Sequence, residues 1–292
     1  MGKFNRSKSS IINLRIFHNW VKNELYKTAA FDLRENPDKE NSHELSILEL
    51  AVGRAGDLYK WIGIDSTEVV GVDIDDASIF GKDGAYHRYR RLRNKNPKGE
   101  NNDVPQCTFY VMDLSKPESF EKLKNLLKTK KFDIVSCQFA FHYFFESEKA
   151  IDNILSIVKH FIAPHGYFMI TTMNGENIKK RLGNETKIDS ESFSIEKRYD
   201  GKSVYGQQYA VSLGDKGEDH YFAQNASIEY LVDLKELEKK VSGCGMTGTS
   251  LKGFDSWYNE YKTTREYRQL GMSEKEFSFF NFSAVYEVQK DE

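Results

Sequence analysis

A glycine-containing loop and a later carboxylate have residue types and a spacing suited to binding a nucleotide. The loop extends from Ala51 to Asp57; it follows an apolar run and precedes a helix-like segment. Backbone amides at the start of a helix, approached without interference from a Cβ at Gly53, suit a nucleotide-like ligand. Asp73 lies 20 residues after Gly53, at the end of the next apolar run. A carboxylate in that position can accept hydrogen bonds from both hydroxyls of a ribose.

These features predict a bound adenosine group but do not decide which molecule carries it. Ala51 holds the first glycine position of the dinucleotide fingerprint, so a tight strand-to-helix turn without a ligand is the alternative. Asp113, after the third apolar run, could accept from an adenine amino group or cap the next helix. Because adenosine occurs in dinucleotides and in S-adenosylmethionine, both a dehydrogenase and a methyltransferase remain open.

A cluster of basic residues at positions 86–98 is the second feature with chemical potential. The formal net charge of the chain is −2, so binding to a nucleic acid would require a local positive patch. No acidic residue interrupts the cluster, whose cations are Arg88, Arg90, Arg91, Arg93, Lys95 and Lys98. Such a segment could hold phosphates, with its aromatic residues available for stacking, or could be a solvated helix face.

The elements that position these residues follow a βαβ rhythm, which predicts an α/β fold. Short apolar runs predict strands at residues 46–50, 68–73, 108–112, 132–136 and 166–172. Amphipathic segments predict helices at residues 58–62, 118–127 and 148–161. Before them, apolar spacing from residue 11 predicts a helix of about 15 to 20 residues. After residue 183 we expect a strand within residues 203–213, a helix at 227–241 and closing strands at 277–288.

The composition excludes several classes of protein. Hydrophobic residues make up 39% of the 292 residues, which is enough for a globular core. The three cysteines, Cys107, Cys137 and Cys244, are too few and too far apart to indicate a disulfide framework or a zinc site. No apolar run approaches the roughly 20 residues of a membrane span. We therefore expect an intracellular protein with no metal and no membrane partner.

Four segments, in this order and spacing, resemble the cap guanine-N7 methyltransferases of eukaryotes and large DNA viruses. They are RIFHNWVK (15–22), ILELAVGRAGDLYKW (47–61), VDI (72–74) and FDIVSCQFAFHY (132–143). The similarity continues through FFES (144–147) and PHGYFMITTMN (164–174). Residues 11–183 resemble the family closely and the rest loosely. Among viral members the chain is similar to the methyltransferase module that ends a multifunctional capping enzyme.

The resemblance implies a Rossmann-like class I methyltransferase fold, with a mostly parallel seven-stranded sheet, helices on both faces and an N-terminal helical extension. It implies one domain: an extension (1–45), a cofactor-binding core (46–183) and a cap-side insertion with closing strands (184–292). The implied cofactor is S-adenosylmethionine, bound by Lys22, Ala51, Gly53, Asp73, Asp113, Gln138 and Tyr143. The implied cap-binding residues are His18, Asn19, Arg54, Lys60, Arg88, Phe139, His142 and Glu229.

This sequence departs from the family pattern in two places. The usual Cys-Gly-Lys-Gly-Gly-Asp segment is here VGRAGD (52–57), so Arg54 supplies the positive charge and Ala55 replaces a glycine. Arginine is not equivalent to lysine at a phosphate, and Ala55 is expected to alter the backbone approach slightly. The family's late tyrosine has no unique counterpart near FFNF (279–282).

The implied chemistry requires no general base, because guanine N7 carries a lone pair and no proton. Catalysis would then rest on alignment and electrostatics, which agrees with the absence of a recognisable nucleophile–base pattern. A carboxylate facing N1–H and the exocyclic amino group would select guanine, and Glu229 is the candidate. The alternative for Glu229 is a helix-start carboxylate. His142, Tyr143 and Phe139 would contact or stack on the base, or belong to the core.

Other functions remain open at this level. A methyltransferase acting on a small molecule or another nucleobase would share Asp73 and the glycine loop but not use the basic cluster. A catalytically silent cap-binding subunit is a second alternative, and NAD-dependent oxidoreduction is a more distant third. The expected partner is the capped RNA 5′ end, together with RNA triphosphatase and guanylyltransferase domains. The expected location is the cytoplasm or virion for a viral protein and the nucleus for a cellular one.

Overall fold

The computed structural model describes residues 10–38, 44–95, 104–214 and 226–288. The strands are β1 (Leu45–Leu50), β2 (Ser66–Asp73), β3 (Gln106–Val111), β4 (Phe132–Gln138), β5 (Ile162–Met173), β6 (Lys187–Asp189), β7 (Phe193–Lys197), β8 (Gln208–Leu213), β9 (Ser227–Tyr230), β10 (Met246–Gly253) and β11 (Asn281–Val288). The helices are α1 (Ile12–Glu35), α2 (Leu58–Gly63), α3 (Asp76–Phe80), α4 (Ala85–Lys95), α5 (Pro117–Leu127), α6 (Glu148–Phe161), α7 (Gly175–Leu182), α8 (Leu234–Gly243), α9 (Phe254–Tyr261) and α10 (Met272–Ser278). A 3₁₀ segment spans Phe141–Glu146.

A seven-stranded sheet forms the centre of the fold, in the order β10-β11-β5-β4-β1-β2-β3. Strands β1 to β5 pair in parallel, whereas β11 is antiparallel to both β5 and β10. Successive side chains such as Ile47 and Leu48 enter different core clusters, so helices cover both faces. The predicted mostly parallel seven-stranded α/β fold is confirmed. Chain order reverses between β4 and β1, and ligands bind at such a point, outside the carboxyl ends of the strands.

The N-terminal helix α1 is longer than predicted, with 24 residues. Its buried side chains continue beyond Leu25 to Leu33, and Arg34 anchors its last turn by donating to the carbonyl of Ile64 at 2.6 Å. Near the other end, Phe17 packs in a cluster with the aromatic rings of α9, including Phe254 and Tyr261. In the described part of the chain, no helix is long and apolar enough to cross a membrane.

A second, antiparallel sheet has the order β6-β7-β8-β9 and includes a segment that was predicted to be helical. The helix predicted at residues 227–241 is wrong in its first part: Glu229 lies on β9, and α8 begins only after the N-cap residue Asp233. Pairing with β8 places Tyr209 opposite Glu229 and fixes this short strand. The closing strands predicted at 277–288 are also shorter, because α10 extends through Ser278 and β11 begins at Asn281.

Candidate active site

The glycine loop lies at the carboxyl end of β1, beside the carboxyl end of β2. Ala51, Gly53 and Ala55 all have left-handed backbone conformations, with φ angles of 54°, 53° and 51°. A Cβ at Gly53 would meet no atom within 4 Å, so this part of the loop faces open space. Ala55 keeps the conformation in which a glycine would be favoured and is fully buried. The loop therefore retains an open approach for a ligand at Gly53.

Asp73 is held in place by the loop that it faces. One carboxylate oxygen accepts from the amide of Gly53 at 2.7 Å, and the other accepts from the amide of Asp75 at 2.9 Å. The residue is only 9% exposed. Each oxygen has a second lone pair, so an oriented carboxylate is available to ligand hydroxyl groups. This arrangement fits the ribose of an adenosine cofactor.

Asp113 and Gln138 lie after β3 and at the end of β4, in the same region of the sheet. Asp113 accepts from the amide of Ser115 at 3.0 Å, and so stabilises the turn before α5. Gln138 is 9% exposed and donates to Ser136 at 3.0 Å, while Thr171 donates to its amide oxygen at 2.9 Å. Asp113 therefore stabilises this turn but does not cap α5, whose N-cap residue is Lys116, and Gln138 has a fixed amide orientation.

A buried charge network joins α1 to the glycine loop. The Lys22 ammonium lies 2.5 Å from an Asp57 carboxylate oxygen, and the Lys60 ammonium lies 2.9 Å from the same oxygen. Burial opposes ionisation of Asp57, but the two lysines outweigh it and lower the pKa of that carboxyl. Lys60 also donates to Asn19 at 3.0 Å. Two ammonium groups facing one carboxylate leave a positive charge that an anionic ligand group can balance.

A cavity of about 240 Å³ adjoins this network and separates α1 from the second sheet. It brings together six of the predicted residues: His18, Asn19, Lys22, Phe139, His142 and Glu229. Much of the remaining wall is apolar and comes from β8, α10 and the end of β5. A mostly apolar cavity with a few converging polar groups is typical of a small-molecule or nucleobase site.

Two neutral aromatic side chains form one wall. The rings of His18 and Phe139 are stacked, with centroids 5.0 Å apart and an interplanar angle of 8°. Burial and the nearby charge of Lys22 lower the pKa of His18 to about 3. One ring nitrogen of His18 lies 2.9 Å from the hydroxyl of Ser278. This wall is therefore uncharged near neutral pH and suits contact with a flat base.

A carboxylate and a histidine form the polar end of the cavity. Glu229 is 6% exposed, and one of its oxygens accepts from the hydroxyl of Tyr209 at 2.7 Å. The same oxygen lies 3.5 Å from Nε2 of His142, a nitrogen without a hydrogen-bond partner among the described residues. Burial lowers the pKa of His142, although the charge of Glu229 opposes this shift. The cavity thus contains a buried acceptor beside an unpartnered ring nitrogen, which suits a ligand carrying N–H groups.

Comparison of the sequence with known protein families identifies the family of this chain. The whole chain, residues 1–292, matches the mRNA (guanine-N(7))-methyltransferase domain. The chain belongs to this family. The predicted family membership is therefore confirmed.

Two curated relatives show how much of longer proteins the chain represents. It is 27% identical over 265 residues to the mRNA cap guanine-N(7) methyltransferase of Drosophila melanogaster, covering 89% of this chain and 58% of the relative. It is 26% identical over 303 residues to the probable mRNA-capping enzyme of Acanthamoeba polyphaga mimivirus, covering 93% of this chain and 24% of the relative. The chain thus spans less than two thirds of either relative.

A solved structure supports the fold assignment. The S-adenosylmethionine-dependent methyltransferase from Clostridium acetobutylicum matches with a TM-score of 0.54 at 11% identity. The match covers 94% of this chain and 92% of that protein. At this identity the likeness concerns the fold alone. It confirms the predicted Rossmann-like class I methyltransferase fold.

Four of the residues predicted to bind or position the cap do not line the cavity. Tyr143 is 39% exposed, and its hydroxyl lies 3.1 Å from that of Ser227. Arg54 is exposed on the glycine loop, and Arg88 on α4 donates to the Arg54 carbonyl at 2.6 Å. Lys60 belongs to the network around Asp57. Arg54 and Arg88 therefore lie together beside the loop, and Lys98 of the basic cluster lies outside the described residues.

Several site residues were missed by the sequence analysis. Asp57 was part of the quoted loop motif, but its buried pairing with Lys22 of α1 leaves no local pattern in the sequence. Thr172 is the penultimate residue of β5, and its hydroxyl lies 3.3 Å from Nδ1 of His142. Tyr209 and Asn281 carry no motif: the first bonds Glu229, and the second lines the cavity. Only the strand-end position of Thr172 could have indicated a functional role.

Proposed function

We propose that this chain transfers a methyl group from S-adenosylmethionine to N7 of the guanine in an RNA 5′ cap. The observation that carries this proposal is the buried carboxylate of Glu229 in a cavity with an aromatic wall. Lys22 of the charge network lines the same cavity. A guanine presents two neighbouring donors, N1–H and the amino group, along one edge. A carboxylate matches that edge with charge-assisted hydrogen bonds.

The cofactor-side residues fit S-adenosylmethionine part by part. Asp73 would accept from the ribose hydroxyls, and the open backbone at Ala51 and Gly53 would line the methionine chain. Lys22 would pair with the cofactor carboxylate, which balances the extra positive charge near Asp57. Asp113 and Gln138 would border the adenine, and Tyr143 would contact both the cofactor and the cap side. The bound cofactor supplies a methyl group on a positively charged sulfur.

Guanine would enter the cavity with its plane against the His18 and Phe139 wall. Glu229 would hold the N1–H edge, and the unpartnered Nε2 of His142 would contact the base as a positioning group. The triphosphate of the cap is anionic, so it would extend toward Arg54 and Arg88, with Lys60 and Asn19 at the rim. These contacts fix the base in the plane and at the depth that the reaction needs.

The reaction requires alignment and charge stabilisation, with no proton transfer. The N7 lone pair forms a bond to the methyl carbon while the carbon–sulfur bond breaks, and the bonding pair stays on sulfur. Positive charge therefore moves from sulfur to the guanine ring. Glu229 carries a negative charge beside that ring, and a fixed opposite charge in a buried site stabilises the developing cation. His18 and His142 have lowered pKa values, so they are neutral and do not repel it.

The decisive experiment compares three substrates with radiolabelled S-adenosylmethionine: RNA with an unmethylated guanosine cap, GTP and uncapped RNA. We expect transfer to capped RNA, with 7-methylguanosine released on nuclease digestion. Equal transfer to all three would overturn the cap assignment, and label elsewhere in the RNA would indicate another nucleobase. Cap binding without transfer would identify a silent subunit.

The reaction would take place after two earlier steps of cap synthesis. The chain would act as a single methyltransferase domain, after RNA triphosphatase and guanylyltransferase activities supplied by other domains or chains. A viral origin would place it in the cytoplasm or virion, and a cellular origin in the nucleus. Co-purification of the three capping activities with this chain would test the partnership.

A further inference from the structure

Two aromatic rings are exposed side by side where α3 ends and α4 begins. Phe80 is 46% exposed and Tyr86 is 37% exposed. Their centroids lie 6.0 Å apart with an interplanar angle of 59°, so the rings form an open corner. Scattered apolar residues are common on surfaces, but two adjacent rings offer a stacking surface. The guanine cavity uses neither ring.

The charge around this corner is positive. The guanidinium carbon of Arg90 lies 5.7 Å from the centroid of the Tyr86 ring. Helix α4 carries five basic residues and no acidic residue over Ala85–Lys95. Among the nearby carboxylates, Asp83 lies 3.3 Å from Arg91, Asp75 caps α3, and Asp76 is exposed. The basic groups outnumber these carboxylates, so the surface favours an anionic ligand that also has flat, apolar rings.

The corner lies near the expected exit from the cap site. Arg88 donates to the Arg54 carbonyl at 2.6 Å, so α4 lies against the glycine loop. Tyr86 and Arg90 are four residues apart and share a helix face, while Arg88 lies on a different flank. The face with Tyr86 and Arg90 and the flank with Arg88 can therefore bind successive phosphates of one nucleic-acid strand. Arg88 faces the loop, and the corner continues outward from it.

We propose that Phe80, Tyr86 and Arg90 form a binding site for single-stranded RNA that follows the cap, and this rests on the proposed function. A base beyond the first transcribed nucleotide would stack on the Phe80 ring with its edge toward Tyr86, and Arg90 would neutralise a backbone phosphate. Stacking on aromatic rings tolerates any base, so no sequence preference is expected. The site would distinguish a capped RNA from a free cap dinucleotide.

The test compares two methyl acceptors for the double variant Phe80→Ala, Tyr86→Ala. We expect kcat/KM for a capped 20-nucleotide RNA to fall about tenfold through KM, the size of one lost base stack. The unmethylated dinucleotide GpppG should be methylated within twofold of the wild-type rate, because it does not reach the corner. Phe31→Ala, at a 64% exposed phenylalanine on α1, is the matched control and should leave both values unchanged.

A binding measurement separates this inference from the proposed function. Fluorescence anisotropy with a labelled, uncapped ten-nucleotide oligoadenylate needs no methyl transfer. The double variant should bind it about tenfold more weakly than the wild type and the Phe31→Ala variant. If the wild type methylates neither acceptor, the proposed function fails, and this measurement still decides the RNA site. Unchanged oligoadenylate binding, or an equal loss on capped RNA and GpppG, would overturn the inference.

Discussion

Replacing Glu229 by glutamine tests the guanine-binding role with a minimal change of shape. The side chain is 6% exposed and accepts from Tyr209 at 2.7 Å. The glutamine amide oxygen can keep that hydrogen bond. Its NH₂ group would then face the N–H donors of guanine, so an attraction is replaced by an unfavourable donor–donor contact. The negative charge beside the developing purine cation is also lost.

The magnitude follows from the buried position of the carboxylate. A hydrogen bond to a charged group contributes about 1.5 to 3 kcal/mol. Since about 1.4 kcal/mol corresponds to a tenfold change in rate, Glu229→Gln should lower kcat/KM for capped RNA roughly ten- to hundredfold. Cofactor affinity should stay near the wild-type value. The melting temperature should be unchanged or higher, because a neutral amide costs less to bury than a carboxylate.

Initial rates with capped RNA, cofactor calorimetry and thermal unfolding provide the three measurements. Tyr209→Phe is the matched control, because it removes one hydrogen bond to Glu229 and leaves the charge in place. Tyr209 orients Glu229 but does not itself contact guanine in this proposal, so only part of a charge-assisted hydrogen bond should be lost, and we expect a roughly two- to tenfold loss. A wild-type rate for Glu229→Gln would refute the assignment of the guanine acceptor. A loss equal to that of Tyr209→Phe would refute the role of the charge.

Three further predictions follow from the structure. Asp73→Ala should weaken cofactor binding at least about tenfold and leave cap-analogue binding nearly unchanged in calorimetry, because the carboxylate faces the glycine loop. Neutralising Arg88, Arg90 and Arg91 should lower affinity for capped RNA and reduce the slope of log affinity against log salt by about 2, as measured by fluorescence titration; an unchanged slope would indicate a solvated face. Burial, with the nearby Asp57, raises the pKa of Glu49 from 4.5 to about 8, so the folded chain holds a proton that the unfolded chain releases. The free energy of unfolding should therefore fall as pH rises from 4.5 to 8, and urea titrations of Glu49→Gln should show a smaller decline, by up to about 1.4 kcal/mol per pH unit.

The sequence alone determined the features that depend on local patterns. Short apolar runs gave the parallel strands β1 to β5, and the predicted helix at 148–161 coincides with α6 (Glu148–Phe161). The glycine loop follows β1, and Asp73 is the last residue of β2. Because these neighbouring strands are parallel, their carboxyl ends lie at the same edge of the sheet, and the two features are expected to meet there. Their hydrogen bond at 2.7 Å agrees with that expectation.

Only the tertiary structure decided how the cavity is closed. Glu229 lies on a strand of four residues, too short for its own periodicity to separate it from the helix that follows. Its conformation depends on pairing with β8, and its position depends on the packing of β9 against the 3₁₀ segment and of β7 against α10. Asp57 is likewise an ordinary loop carboxylate with Lys60 three residues after it, and its second partner, Lys22, lies 35 residues earlier on α1. Contacts between residues so far apart in the chain leave no local pattern, because long-range packing and strand pairing determine them.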